Sequence, residues 1–221
     1  MTPDLPSKKT YSVKKLQPQG VSNNRFLLPT EWENAIVLND FERPWENTLE
    51  KGTEFKALYD SKNLYLKYDV IDDHILTSPT SKDKQEVAKG DRVEIFFSCD
   101  SDLKKYYCLE VAPNGGVLDY LASHYRKFDM NWYWPQEHFY IKVNLGKMAY
   151  CVELTLSLQS LQELGVLKEG ILRAGIFRAD CFSLGAESNE DPIIEWVTWI
   201  DPETVQPDFH VPTAFGTLIL E

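Results

Sequence analysis

The chain has 221 residues, 43% of them hydrophobic, and its 34 acidic and 23 basic side chains give a formal charge of −11. Such a surface repels phosphate backbones and anionic lipid heads, which argues against nucleic acid or membrane as partners and leaves neutral ligands and cations. The apolar fraction excludes a disordered chain, and the length suffices to bury a core without disulfide or metal support.

Residues 1–24 are polar, carry Pro3, Pro6 and Pro18, and read as an extended lead-in, so a single domain is expected over 25–221. The first residues hold no apolar leader segment, which predicts a cytoplasmic protein, or a periplasmic or secreted one if a leader has been removed. Nothing approaches the roughly 20 apolar residues of a membrane span. After Pro29, the segment Thr30–Ala35 begins like a capped helical turn. Thr53–Asp60 and Leu64–Ile71 flank Ser61-Lys62-Asn63 and predict a hairpin. In its second arm Leu64, Leu66, Tyr68 and Val70 share one face, and Tyr65, Lys67 and Asp69 the other.

Arg92–Ser98 repeats that period of two, with Val93, Ile95 and Phe97 inward and Arg92, Glu94 and Phe96 opposite. Lys105–Ala112 places Tyr107, Leu109 and Val111 inward, with Tyr106, Cys108 and Glu110 on the other side. Asn114-Gly115-Gly116 supplies the turn that follows. Further strands are predicted over 139–144, 149–156, 171–180, 195–200 and 215–220, and one short helix over Ser157–Leu164, stopped by Gly165. Many short strands with so little helix predict an all-β fold, an antiparallel β-sandwich of jelly-roll type with one or two short helices. Cys99, Cys108, Cys151 and Cys181 show no metal-binding spacing and are expected as reduced residues, a Cys99–Cys108 bridge across a hairpin staying open.

Four blocks occur in a recognisable order: FKALYDSKNLYLKYDVID, GDRVEIFFSCD, KYYCLEVAPNGGVLDY, and EWVTWIDP followed by PDFHVPTAFGTLILE. Together they resemble the family 9 carbohydrate-binding modules over about residues 32–221, nearly the whole chain. The resemblance implies a non-catalytic module for a β-linked glycan or its chain end, of glucan or xylan type. In such modules a sugar ring lies between two aromatic faces and calcium is often bound as a structural ion. Carried over residue by residue, Glu94 matches the acidic acceptor of sugar hydroxyls and Phe209 falls where one clamp aromatic stands. The second clamp aromatic has no counterpart, because Val87-Ala88-Lys89 stand just before Asp91. The family's basic and amide contacts on the next strand fall on Cys108 and Glu110.

Trp132-Tyr133-Trp134 offers a replacement for that wall. Neighbours in an extended segment point to opposite sides, so at least one of the three rings is expected at the surface, and Trp132 and Trp134 are candidate sugar platforms. Trp196 and Trp199 have opposite parity on one strand, so one is expected in the core and one outside it. Glu94 and Glu110 project from one face of two adjacent strands. They predict hydroxyl acceptors or ion pairs with Arg92 and Arg178. The alternatives are a glycoside hydrolase using Glu94 and Glu110, which sets its carboxyls ~5 Å or ~6.5–9.5 Å apart, and a structural module whose sugar site has decayed. Arg178 and His210 are candidate donors to the site. Asp100 with Asp102, and Asp72 with Asp73, carry the hard oxygens calcium prefers, without EF-hand spacing. No other cofactor is indicated, and no oligomeric state follows from the sequence.

Overall fold

The computed structural model describes residues 9–16, 26–46, 48–50, 52–79, 83–185 and 191–221. The strands are β1 (Thr10–Lys15), β2 (Thr53–Tyr59), β3 (Asn63–Ile71), β4 (Arg92–Ser98), β5 (Tyr106–Val111), β6 (Val117–Ser123) and β7 (Lys127–Asp129). They continue as β8 (Phe139–Leu145), β9 (Ala149–Ser157), β10 (Leu167–Lys168), β11 (Ile171–Ser183), β12 (Ile193–Thr198) and β13 (Gly216–Leu220). Two short α-helices, α1 (Lys84–Val87) and α2 (Leu158–Glu163), and 3-10 turns at Trp32–Asn34, Gln136–His138 and Pro212–Ala214 make up the rest of the regular structure among the described residues, the first of these turns lying within the helical turn expected over Thr30–Ala35. Among the described residues, no helix is long and apolar enough to cross a membrane.

One sheet runs β7-β6-β5-β4-β11-β13-β1, with β10 and β12 also paired to β11, and the other runs β2-β3-β9-β8. Strand β1 joins them: Thr10–Val13 pair with Thr217–Leu220, and Lys14 and Lys15 pair with Leu58 and Tyr59. Both of these pairings are parallel, whereas the other ladders are antiparallel, as expected. The segment read as a lead-in thus contributes a strand to the sandwich, while residues 1–8 and 17–24 of it lie outside the described ones.

The main core lies between the inner faces. Leu64, Leu66, Tyr68 and Val70 of β3 meet Val93, Ile95 and Phe97 of β4 and Tyr107, Leu109 and Val111 of β5, as their alternation predicts. The Tyr68 hydroxyl satisfies itself by donating to the Glu94 carbonyl at 2.8 Å. Trp199 enters this core and lies against Gly216, where an added Cβ would stand 2.4 Å from the indole ring. Helix α2 is capped by the Ser157 hydroxyl, which accepts the Ser160 N–H, and ends at Gly165 with φ +76°.

The outer face of the first sheet is covered too. Phe96, Tyr106, Cys108, Tyr120 and Phe177 form a second cluster beneath Phe209, Phe215 and Val87. Strands β4 and β5 are therefore buried on both faces along their whole length. All four cysteines are free thiols, which leaves no Cys99–Cys108 bridge.

Candidate functional site

The alternation of β4 and β5 does bring Arg92, Glu94 and Glu110 together on the outer face, with Glu94 and Glu110 directly opposite each other. Arg92 Nε lies 2.6 Å from Glu110 Oε2 and 3.0 Å from Glu94 Oε1. Its Nη1 donates to the carbonyls of Ala88 and Gly90 at 2.9 and 3.1 Å. Tyr120 donates to Glu110 at 2.9 Å. The Trp196 ring covers the guanidinium at 5.2 Å. Burial raises the Glu94 carboxyl well above the ordinary carboxylate range, the neighbouring Glu110 adds to this, and Arg92 opposes it.

Their expected role as direct sugar contacts does not survive the burial. Arg92 is 5% exposed, Glu94 2% and Glu110 3%. The cover is aromatic: Phe209 stacks on Phe177 at 4.3 Å and 10°, with Trp45 and Trp196 packed at 5.6 and 5.0 Å. Phe209 thus serves as a packed lid on the strand face and not as an open clamp. A glycosidase needs its two carboxyls apart with a sugar between them. Here they share one arginine and interact with each other inside the fold.

His210 is buried as well, so it is not a rim donor. Its Nδ1 hydrogen-bonds to the Tyr106 hydroxyl at 2.9 Å and its ring stacks on Phe96 at 5.4 Å. Burial, with help from Arg126 and against Asp208, lowers its pKa from 6.5 to about 4. An imidazole that resists protonation when folded favours the unfolded state in acid. This group's contribution is intact above pH 6.5 and is lost as pH falls toward about 4. At pH 5.5 NMR should show the His210 imidazole neutral, and a protonated ring there would overturn the buried placement.

Arg178 belongs to neither carboxylate. It pairs in register with Val93 and so emerges on the opposite face of the sheet from Glu94. There it donates to Asp72 at 2.8 Å and Asp180 at 3.0 Å, beside Glu50 at 3.6 Å. Arg43 joins the same cluster through Asp180, Glu50 at 2.8 Å and Glu195 at 2.6 Å. Asp91 completes it, its two oxygens accepting the N–H groups of Cys181 and Leu76 at 2.7 and 2.5 Å. Burial raises the Asp91 carboxyl to about 7 in spite of those bonds.

Asp72, Asp91 and Asp180 bring oxygens within 4.8 Å of one another, the spacing of a metal site. The Arg178 guanidinium, however, already supplies positive charge to two of the three. The set fits an internal ion cluster better than calcium. The expected pairing of Asp72 with Asp73 is not formed in it. Asp100 is engaged in a turn, accepting the N–H groups of Asp102 and Lys104, and Asp102 pairs with Lys104 at 2.9 Å.

The aromatic run resolves by parity. Trp132 packs on Tyr107 at 4.9 Å, and Trp134, 2% exposed, is part of the main core. These two candidates face inward, and the ring left at the surface is Tyr133, 64% exposed. Lys84 Nζ sits 3.6 Å from the Tyr133 ring centroid. That ammonium is itself fixed by the carbonyls of Asp119, Met130 and Trp132 at 2.5, 3.1 and 2.7 Å, and by the Asp119 carboxylate at 3.0 Å. Around it opens a groove of about 490 Å³, lined among others by Asp83, Gln85, Met130, Tyr133, Gln136 and Phe139. Sequence reading missed α1, a four-residue helix whose Asp83 cap is its one local signal, and with it Lys84 and Gln85.

The model of the carbohydrate family 9 binding domain-like proteins matches residues 28–221. No curated protein matches the sequence closely enough to count as a relative. Among solved structures, a candidate carbohydrate-binding protein of Bacteroides uniformis ATCC 8492 shares 17% identity with a TM-score of 0.74, covering 96% of this chain and 99% of its own. A family 9 carbohydrate-binding module of Caldicellulosiruptor kristjanssonii in complex with glucose shares 19% identity with a TM-score of 0.62, covering 96% of each chain. The same organism's module with cellotriose gives 18% and 0.59, over 96% of this chain and 94% of that one. At such identities the likeness speaks for the fold, and the β-sandwich is common to them. With the family model spanning the sandwich from Leu28 to the last strand, the chain belongs to the carbohydrate family 9 binding domain-like family.

Proposed function

We propose that this chain is a non-catalytic carbohydrate-binding module whose sugar contacts lie in the Tyr133 groove and not on the Glu94 face. The observation that carries this reading is the Tyr133 ring, exposed yet held by a lysine that three backbone carbonyls fix in place. A ring fixed in this way loses little conformational entropy when a pyranose stacks its C–H face upon it. Asp83, Gln85 and Gln136 at the same groove offer donors and acceptors to sugar hydroxyls. Family membership and relatives solved with glucose and cellotriose support a β-linked glycan as the ligand class.

Binding without hydrolysis is favoured because the groove brings Asp83 and Asp119 but no free carboxyl pair to work with. Asp119 is bound to Lys84 and the Trp134 N–H, and Asp83 caps α1 by accepting the Gln85 N–H at 2.9 Å. Titration calorimetry with cello-oligosaccharides should give saturable heat. Tyr133→Ala should weaken binding about tenfold, equivalent to about 1.4 kcal/mol, without lowering thermal stability, and Tyr133→Phe should retain binding. Unchanged affinity in Tyr133→Ala would place the sugar elsewhere.

A further inference from the structure

The segments that line the Tyr133 groove converge on one atom. Lys84 Nζ, carried by α1, donates to the Asp119 carbonyl of β6 at 2.5 Å, and to the carbonyls of Met130 and Trp132 at 3.1 and 2.7 Å. It also pairs with the Asp119 carboxylate at 3.0 Å, on a side chain only 12% exposed. Lys84 borders the groove, yet these oxygens occupy the three N–H donors of an ammonium and leave none for a sugar. The ammonium stands 3.6 Å from the Tyr133 centroid, over one face of the ring, so a ligand can stack only on the other.

The Tyr133 ring has no second anchor of this kind. Among the described residues its hydroxyl makes no hydrogen bond, and the ring packs on no other aromatic side chain. Its backbone is held independently, because Trp132 and Trp134 pack inward on either side and Asp119 accepts the Trp134 N–H at 2.5 Å. Helix α1 is held independently too. Asp83 caps it, Glu86 accepts the Ser78 hydroxyl at 2.5 Å, and Val87 is buried in the second cluster. The neighbours thus fix where Tyr133 sits, and Lys84 fixes which way its ring turns.

We infer that Lys84 is a positioning residue that sets the affinity of the groove through Tyr133, without itself contacting the sugar. This rests on the carbohydrate-binding reading of that groove. A ring free to turn about its side-chain torsions has to be ordered by the ligand, and that ordering is subtracted from the binding free energy. The charge of Lys84 matters as well as its hydrogen bonds, since the electron-rich face of the ring attracts a cation and not a neutral chain of the same length.

Calorimetry with cellotetraose compares the parent, Lys84→Met, Tyr133→Ala and the double variant. Lys84→Met is expected to weaken binding about fivefold, the effect of freeing one side chain. It should have no further effect once Tyr133 is alanine, because its influence runs through the ring. Losses that add in the double variant would show that Lys84 acts on the sugar or the groove by itself. Parental affinity in Lys84→Met would show that the ring needs no holding. Either result overturns the inference while the carbohydrate reading stands.

Lys84→Gln keeps two N–H donors for the carbonyls and puts no charge over the ring. It should lose affinity like Lys84→Met, and it decides the matter if the methionine variant does not fold, parental affinity again overturning the inference. NMR of the unliganded parent gives a readout that needs no sugar. The Tyr133 ring current should move the Lys84 ε-methylene protons upfield, and the shift should vanish in Tyr133→Ala. Ordinary positions in the parent would overturn the placement of Lys84 over the ring. No binding of cellotetraose or other oligosaccharides by the parent would remove the carbohydrate reading and the affinity role together.

Discussion

Arg92→Leu should lower the unfolding free energy by about 3–5 kcal/mol, because it strips the shared counter-charge from two carboxyls inside the fold. Arg92 is the ion-pair partner of both Glu94 and Glu110, and it also holds the carbonyls of Ala88 and Gly90. Glu94→Gln should cost less than Arg92→Leu, since glutamine mimics the protonated form that burial favours at Glu94 and Arg92 keeps its contact with Glu110. The two variants differ in pH dependence as well. A carboxyl whose pKa is raised on folding keeps its proton where the unfolded chain has lost it, so its effect on stability turns unfavourable as pH rises past the ordinary carboxylate range. Glu94→Gln removes that dependence and should gain on the parent as pH increases. Urea denaturation across pH tests this, and comparably large losses in both variants would show that Glu94 is ionised inside the fold and held by Arg92.

The second large effect separates neighbours in the chain. Trp134→Ala should cost about 3–5 kcal/mol, the range for emptying a large aromatic site in a core, while Tyr133→Ala should stay within about 0.5 kcal/mol. Trp134 touches Phe97, Tyr107, Trp132 and Phe139 at ring-centroid distances of 6.1, 6.4, 5.6 and 6.5 Å. Its backbone N–H donates to Asp119, which also holds Lys84, and alanine keeps that bond, so the loss comes from the emptied ring site. Thermal denaturation of the two variants decides the matter. A stable Trp134→Ala protein would mean that the 132–134 segment turns its other side to solvent.

Much of the fold was legible because the inner faces obey a period of two. Leu64 to Val70 and Val93 to Phe97 declared their core side, and the helix over Ser157–Leu164 declared its cap and its stop. The outer face was not legible. Arg92, Glu94 and Glu110 alternate with apolar residues as exposed side chains do, and their burial depends on Phe209 and Trp196, about 100 residues further on. Parity within β11 does not tell which face Arg178 takes, because that depends on its register with Val93 of β4. Strand β1 was hidden among prolines, with no hairpin partner next to it in sequence. At the candidate site, parity did separate Tyr133 from its tryptophan neighbours. Which side faced the core depended on β5, whose Tyr107 receives Trp132.

Strand β1 also bears on how such a chain comes into being. Thr10 is matched to Thr217, roughly 200 residues later, so the seam between the sheets has one of the most distant partnerships in the molecule. On a ribosome adding about 5–20 residues per second, the early strand waits some tens of seconds for its mate. In that interval its ladder partners are Leu58 and Tyr59, with Tyr11 anchored to Ile36, Phe55 and Ala57, and the edge that later meets β13 is open to chaperones and to other nascent chains.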